Sequence, residues 1–473
     1  PVKALEKTQP SSDAAINLKL KDEVKGTFSM TAQLGLGYDG RMRRSEELIG
    51  LYFAKLRQHV LTAKSNDNGE DIRRELRSFT GGSPLPSLTM TSLQQPDEPH
   101  ISRPRYYDND THAFSSNNLY KLKNEAELNA NLIFFHDRER THGASQTTYF
   151  LPEGTKVISE DLRNRGTIDQ LEGELRYNIN KEQLYFNNLL ELKASWEQEH
   201  GIVSAGEDLT QQMRQRYLSA TNTSHWVRTK ADGKGGEILW RNVVATSPHR
   251  LSIQPGLYAP RINSGAPYAE LTQDVRHRAF LSFAELALLS AWHIGELRIS
   301  PRLFLQAQHQ ALDTELGATS LTGTYQPLPS RDMHNGISFT RLGAGLGHEL
   351  SYKSEVFNLH AVLPLFYYHT LMQDGFRPSE RLSEGKLYFE PRGWVSYKFA
   401  SDFTLKLNGS IALTPHPKLA LRRVYHAELP QPDAPRDASV QLAHGQHRAH
   451  TQLQGYLLDA LPQRGGQLQP PPQ

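Results

Sequence analysis

The chain has 473 residues, 37% of them hydrophobic and 22% charged, with a formal net charge of +2 and a mean hydropathy of -0.58. That polarity, with no run of about 18 apolar residues anywhere, excludes helical membrane spans but leaves a β-barrel open, because half of every barrel strand is allowed to be polar. The small net charge argues against a nucleic-acid binder, and the absence of cysteine suits an oxidising envelope or surface compartment.

The chain opens on Pro1 without the charged and then apolar stretch of a secretion signal. The expectation is therefore a processed product or a fragment lacking its beginning. From residue 126 onward, extended segments alternate apolar and polar residues with a period of two, which only a strand expresses. Leu128, Ala130, Leu132 and Phe134 alternate with Glu127, Asn129 and Asn131. Leu184, Phe186, Leu190, Leu192, Ala194 and Trp196 alternate with Gln183, Asn187, Glu191, Lys193 and Glu197. Leu297, Ile299, Leu303, Leu305 and Ala307 stand opposite Glu296, Arg298, Arg302, Gln306 and Gln308. Leu342, Ala344, Leu346 and Leu350 oppose Arg341, Glu349 and three glycines. Phe357, Leu359, Ala361, Leu363, Leu365 and Tyr367 oppose Asn358, His360 and Pro364, although Val362 and Phe366 blur that polar face. Leu387, Phe389, Val395, Tyr397 and Phe399 oppose Lys386, Glu390, Arg392, Ser396 and Lys398.

Short polar turns at Asn124-Glu125, Asn180-Lys181-Glu182, 291–294, 351–354 and Ala400-Ser401-Asp402 predict antiparallel hairpins. Long irregular connections are expected between them at 80–107, 141–166, 200–212, 311–335 and 371–384. Turns on one side and long loops on the other is the asymmetry of outer-membrane barrels. Roughly 14 to 16 strands are expected. Trp196, Tyr367, Tyr368 and Trp394 suit aromatic girdles at the membrane interfaces. After Pro415 the alternation stops, and the stretch from Glu428 to the closing Pro470-Pro471-Pro472-Gln473 has the composition of a disordered tail, either an extension or a change of reading frame. Such a chain leaves the barrel unfinished, with two unpaired sheet edges.

These residues bring a family into view. Ala14-Ala15-Ile16-Asn17-Leu18-Lys19-Leu20-Lys21 resembles the end of the plug of TonB-dependent outer-membrane receptors. Lys25-Gly26-Thr27-Phe28, the run from Lys64 to Asp71, Asn117-Asn118-Leu119-Tyr120-Lys121-Leu122, Phe135-His136-Asp137-Arg138-Glu139-Arg140 and Thr148-Tyr149-Phe150-Leu151-Pro152 resemble the Bacteroidota branch that carries a carboxypeptidase-like regulatory domain. The resemblance covers about 13–414 and lacks the plug, its coupling box and the final strands. It implies loops that capture a solute, an inner-membrane energy protein of the TonB type that pulls on the plug in the intact form, and in some arrangements a surface lipoprotein.

Chemical motifs are sparse. Asn66, Asn68, Gly69 and Glu75 fall at calcium-loop spacing, but Lys64 stands where the first carboxylate belongs, so a polar hairpin turn is expected there. Gly343-Ala344-Gly345-Leu346-Gly347 lies inside a strand and opens no helix, which makes it room for a neighbour rather than a dinucleotide loop. His444, His447 and His450 are spaced to share a helix face, in a tail without other features. Asn222-Thr223-Ser224 matches a glycosylation sequon, read as chance in a bacterial outer-membrane protein. Arg298, Arg302, Arg341, Glu349, Lys386, Glu390, Arg392 and Lys398 face the lumen, where packing and pairing compete with solute contact.

The reading is an all-β chain: a transmembrane antiparallel β-barrel of outer-membrane type, incomplete, with short periplasmic turns and long extracellular loops. Residues 1–22 end the plug and lead in, 23–414 form the barrel and 415–473 the tail. The function is solute import in the intact form, in contact with outer-membrane lipid and without nucleic acid. The rival is a secreted or surface β-rich binding protein. No catalytic, cofactor-binding or metal residue is assigned, no cofactor is expected, and nothing nominates an enzyme.

Overall fold

In the computed structural model, residues 3–5, 26–74, 91–152, 154–205, 208–256, 267–328, 334–400, 403–411 and 454–456 are described. The strands are β1 (Thr27–Tyr38), β2 (Met42–Phe53), β3 (Arg57–Asn66), β4 (Asp108–Lys121), β5 (Ala126–Leu151), β6 (Gly154–Asn180), β7 (Leu184–Ser204), β8 (Asp208–Thr229), β9 (Gly235–Gln254) and β10 (Tyr268–Leu289). There follow β11 (Trp292–Ile294), β12 (Leu297–Ser320), β13 (Tyr325–Pro327), β14 (Asn335–Lys353), β15 (Phe357–Asp374), β16 (Arg377–Phe389), β17 (Arg392–Ala400), β18 (Phe403–Ser410) and β19 (Gln454–Tyr456). They form one antiparallel sheet in which each long strand pairs with its chain neighbours, β10 passing directly to β12, β12 to β14 and β14 to β15. β16 and β17 lie along successive parts of β15 and act as one strand interrupted at Glu390-Pro391, where proline has no N–H to give the ladder. Among the described residues β1 pairs with β2 alone, and β18 with β17 and the three residues of β19, so the sheet is not closed.

The all-β class and the hairpin connectivity are as expected. At the first predicted turn Asn124 and Glu125 both take positive φ, 62° and 59°, a conformation asparagine tolerates best. The expected loops are different. Residues 141–166 are not irregular: β5 and β6 pair continuously up to Leu151↔Gly154. The stretch 200–212 is likewise the tip of the β7–β8 hairpin, and 371–384 the tip of β15–β16. Alternation fades there because beyond the apolar zone both faces of a strand meet water, so Thr141 to Thr148 reads as loop while its ladder persists.

Burial separates two faces. On the outer face, Leu192, Trp196, Leu218, Ile238, Trp240, Val244, Phe280, Leu303, Leu305, Leu346, Leu365 and Leu387 are exposed. On the inner face their sequence neighbours, such as Ser195, Val243, Phe304, Glu349 and Phe366, are buried. The inner face is drier than expected. Val362 and Phe366 join Phe304 and Tyr368 in a buried cluster with Phe283 and Tyr388 against it. Of the four girdle candidates, Trp196 and Tyr367 face outward, whereas Tyr368 is buried inside and Trp394 stacks on His360 at 6.1 Å.

The glycines of β14 make this cluster possible. A Cβ on Gly343 would lie 2.4 Å from the Tyr368 ring, and one on Gly345 2.6 Å from the Phe366 ring. Each aromatic therefore lies flat over a glycine on the neighbouring strand. Gly345→Val is expected to cost about 1 to 3 kcal/mol by overpacking, read from the denaturant midpoint. An unchanged midpoint would show that the ring has room to move.

Candidate functional site

The inner face carries three assemblies in order along the strands. Near the short-turn end Arg302 of β12 reaches Glu237 of β9 at 3.0 Å, Glu349 of β14 at 2.9 Å, and Glu285 of β10. His225 of β8 meets the second oxygen of Glu237 at 2.8 Å, and His360 of β15 that of Glu349 at 2.8 Å. Arg392 of β17 takes the second oxygen of Glu285 at 3.4 Å. Every oxygen of the three carboxylates is thus engaged, and the Arg302, Glu237, Glu285 and Glu349 side chains are at most 8% exposed. A charge buried this deeply persists only with its partners in place. The cluster is a clamp across seven strands.

Above it lies the aromatic layer. Arg341 sits 5.3 Å from the Tyr368 ring centre and 5.7 Å from that of Phe339, and donates to Gln308 at 2.8 Å. Tyr368 donates its hydroxyl to Gln306 at 3.2 Å.

At the long-hairpin end a segment of the 80–107 connection crosses the inner face. Leu93 is buried among Leu162, Val203, Leu209, Met213, Leu251 and Ile253. The Gln94 amide donates to Gln211 at 2.9 Å, Asn164 donates to the Gln94 carbonyl and to Gln95 at 2.8 Å each, and Gln95 donates to Glu199 at 3.1 Å. Gly201 leaves the space that Leu93 and Asn164 fill. Burial, then the nearby Glu139 and Glu197 carboxylates, push Glu199 up to about 7. Its folded value lies above the unfolded one, so its contribution is intact below about pH 4.5 and is lost as pH rises through 7. Once exchange is divided by the base-catalysed rate of an open amide, the protection of the Leu93 and Gln94 amides in this segment is expected to be lower at pH 8 than at pH 5. Glu199→Gln should flatten that difference in protection, and a pH-dependent protection that survives the substitution would place the titrating group elsewhere.

A cavity of about 360 Å³ opens beside the clamp, lined by His360, Arg392, Gly393, Trp394, Asn408, Gly409 and Ser410. The stacked Trp394 and His360 rings give it a flat wall, and Arg392, about half exposed, and Asn408 give it polar groups. A polar solute with one flat face fits such a lining.

The structure brings together three of the predicted inner-face charges, Arg302, Glu349 and Arg392. Arg341 lies apart in the aromatic layer, Lys386 pairs with Glu384 at 2.7 Å, and Arg298, Glu390 and Lys398 stay outside the clamp. Sequence reading missed Glu237, Glu285 and His225. The signal was available for Glu285, a lone carboxylate within the apolar run Leu281 to Leu289. In the calcium-like loop, Asn66 donates to the Glu70 carbonyl at 3.1 Å and accepts from Asn109 at 2.8 Å, while the Gly69 amide donates to Asn109 at 2.8 Å. Gly69, at φ 85°, packs where any side chain would strike Pro104. It is a polar turn but not the expected hairpin, because β3 ends at Asn66 and its partner β4 begins only at Asp108; Glu75 lies outside the described residues, as do His444, His447, His450 and the plug-like run 14–21. Asn222 of the sequon faces outward on β8, donating to Asn188 at 3.3 Å.

No protein-family model and no curated protein matches the chain. Among solved structures, the chain is similar to the ferric yersiniabactin uptake receptor FyuA from Yersinia pestis, at 11% identity and a TM-score of 0.33, over 81% of this chain and 61% of that one. The ferric citrate transporter FecA in its unliganded form matches at 9% identity and a TM-score of 0.31, over 82% of this chain and 65% of that one. The ferric-catecholate import receptor Fiu from E. coli K12 matches at 9% identity and a TM-score of 0.29, over 85% and 70%. The chain spans less than two thirds of the first two. Likeness at this level does not define a shared ligand.

Proposed function

We propose that the chain is the strand portion of a receptor barrel in a bacterial outer membrane, similar to TonB-dependent receptors of the Bacteroidota type, which imports a polar solute. One observation carries this reading: the outer face is apolar over a bounded height. On β10 it runs from Phe280 to Leu288 and on β12 from Leu297 to Ala307, about the 9 to 11 residues that a tilted strand needs to cross hydrocarbon. Past that height it turns charged, with exposed Arg278 and Arg276 on β10 and Asp313 and Glu315 on β12. The polar groups inside the zone bond one another, Trp240 to Ser282 at 3.1 Å and Ser282 to Asn242 at 2.9 Å, which keeps them tolerable in lipid. A soluble sandwich would bury this face against a second sheet, and no second sheet is present among the described residues.

In this reading lipid covers the outer face, the cavity at Trp394 and Arg392 contacts the solute, and in the whole protein a TonB-type energy-coupling protein drives uptake, with a surface lipoprotein as a further partner. Residues 1–22 belong to the end of a plug, 23–414 to the barrel and 415–473 to a tail. Because the chain has no cysteine, single cysteines report cleanly. Cysteines at Leu359 and Leu405 should react with a lipid-phase thiol reagent, and those at Asn358 and Lys406 with a water-soluble one. Equal reactivity at all four positions would overturn the membrane assignment. Uptake by the whole protein is expected to stop when an uncoupler collapses the proton-motive force.

A further inference from the structure

Outside the apolar zone, the outer face of β8, β9 and β10 is crowded with exposed arginines: Arg214, Arg216, Arg250, Arg276 and Arg278. Arg214 stands directly opposite Arg250 across the ladder, Arg276 is opposite Pro248, and Arg278 is opposite Thr246. Like charges directly opposite on one face destabilise a strand pair. Two arginines have carboxylates: Arg250 is held by both oxygens of Asp274 at 2.7 Å, and Arg278 by Asp313 at 2.9 Å. Arg214, Arg216 and Arg276 have no ion pair among the described residues. A second facing pair, Arg140 and Arg165, stands on β5 and β6 on the far side of β7, with Arg140 3.9 Å from Asp108.

We propose that this collar binds the phosphate groups of an anionic membrane lipid; the inference rests on the membrane reading above. Guanidinium forks match phosphate oxygens two at a time and are weakly hydrated, so a shared phosphate turns the repulsion of Arg214 and Arg250 into attraction. The collar's place selects a lipid over free phosphate. Immediately below it lie Leu218, Val244 and Phe280, exposed and apolar, on which acyl chains rest while the headgroup reaches the arginines. Tethering at the interface supplies the headgroup at high local concentration, and basic residues there each strengthen anionic-lipid binding.

The test uses the full chain in vesicles of brominated phosphatidylcholine, where outward-facing Trp196 and Trp240 report the adjoining lipid by quenching. Unbrominated phosphatidic acid or phosphatidylcholine is then mixed in, and the relief of quenching gives relative affinity. Absence of any quenching overturns the membrane reading itself. With insertion established, phosphatidic acid is expected to displace the quencher about tenfold better than phosphatidylcholine does. The triple variant R214Q/R216Q/R276Q should lose that preference while inserting normally. Asp274→Asn, which frees Arg250 without removing any arginine, should increase it, and this holds the idea to account if the triple variant fails to insert. Equal displacement by the two lipids overturns the proposal, as does a preference unmoved by both variants. Millimolar inorganic phosphate should leave the preference intact; if it abolishes the preference, the collar takes free phosphate and the lipid assignment fails.

Discussion

Replacing Arg302 by methionine will lower the unfolding free energy by about 3 to 5 kcal/mol, the cost of removing one partner from a buried ion pair. The substitution leaves Glu237, Glu285 and Glu349 buried on the inner face, each having lost the guanidinium that neutralised it. Methionine fills much of the volume, so packing loss is the smaller part of the effect. Combining Arg302→Met with Glu237→Gln, Glu285→Gln and Glu349→Gln should recover most of the stability, because no uncompensated charge then remains. Arg392→Met should matter much less, since its side chain is 49% exposed and touches only the outer oxygen of Glu285. Urea unfolding followed by tryptophan fluorescence gives all three values. A loss below about 1 kcal/mol for Arg302→Met would mean that water reaches the cluster and screens it.

The second large effect is at Leu346, 70% exposed on the outer face of β14 and flanked by Leu303 and Leu365 on the adjoining strands. In lipid, Leu346→Arg is expected to cost about 2 to 4 kcal/mol, as for a cation near the bilayer midplane. In water the same change at so exposed a site would fall within about 0.5 kcal/mol and would improve solubility. The sign and size therefore separate a membrane strand from a soluble one. Folding titrations into vesicles, wild type against variant, supply the number, and a difference near zero would favour the secreted binding protein.

Which residues share a face was legible from the sequence, because a strand's period of two acts residue by residue and an apolar zone on one face imposes it. Leu303 and Leu305 face out and Arg302 in; Leu342 and Leu346 face out and the β14 glycines in, under the rings of Tyr368 and Phe366, as their place in a strand suggested. Alternation marks a side and says nothing of depth, so it carries no signal for how dry the inner face is. The burial of Val362, Phe366 and Tyr368 depends on what neighbouring strands bring to the same height.

The long hairpins and the clamp were decided by tertiary structure alone. Beyond the apolar zone, the ladder of β5 and β6 is held by backbone bonds that make no demand on side-chain polarity, so nothing in Thr141 to Thr148 announced it. Arg302 finds Glu237, 65 residues earlier and two strands away, because the registers of β9 on β10 and of β10 on β12 add up to place both at one height. A register is a property of strand pairs, and no single segment contains it. The sequence by itself determined that this chain builds two-faced antiparallel strands joined by tight turns. Only the assembled sheet determined that three glutamates from three strands converge on one arginine, since charges that repel or tolerate one another along a chain attract only where folding sets them side by side away from water.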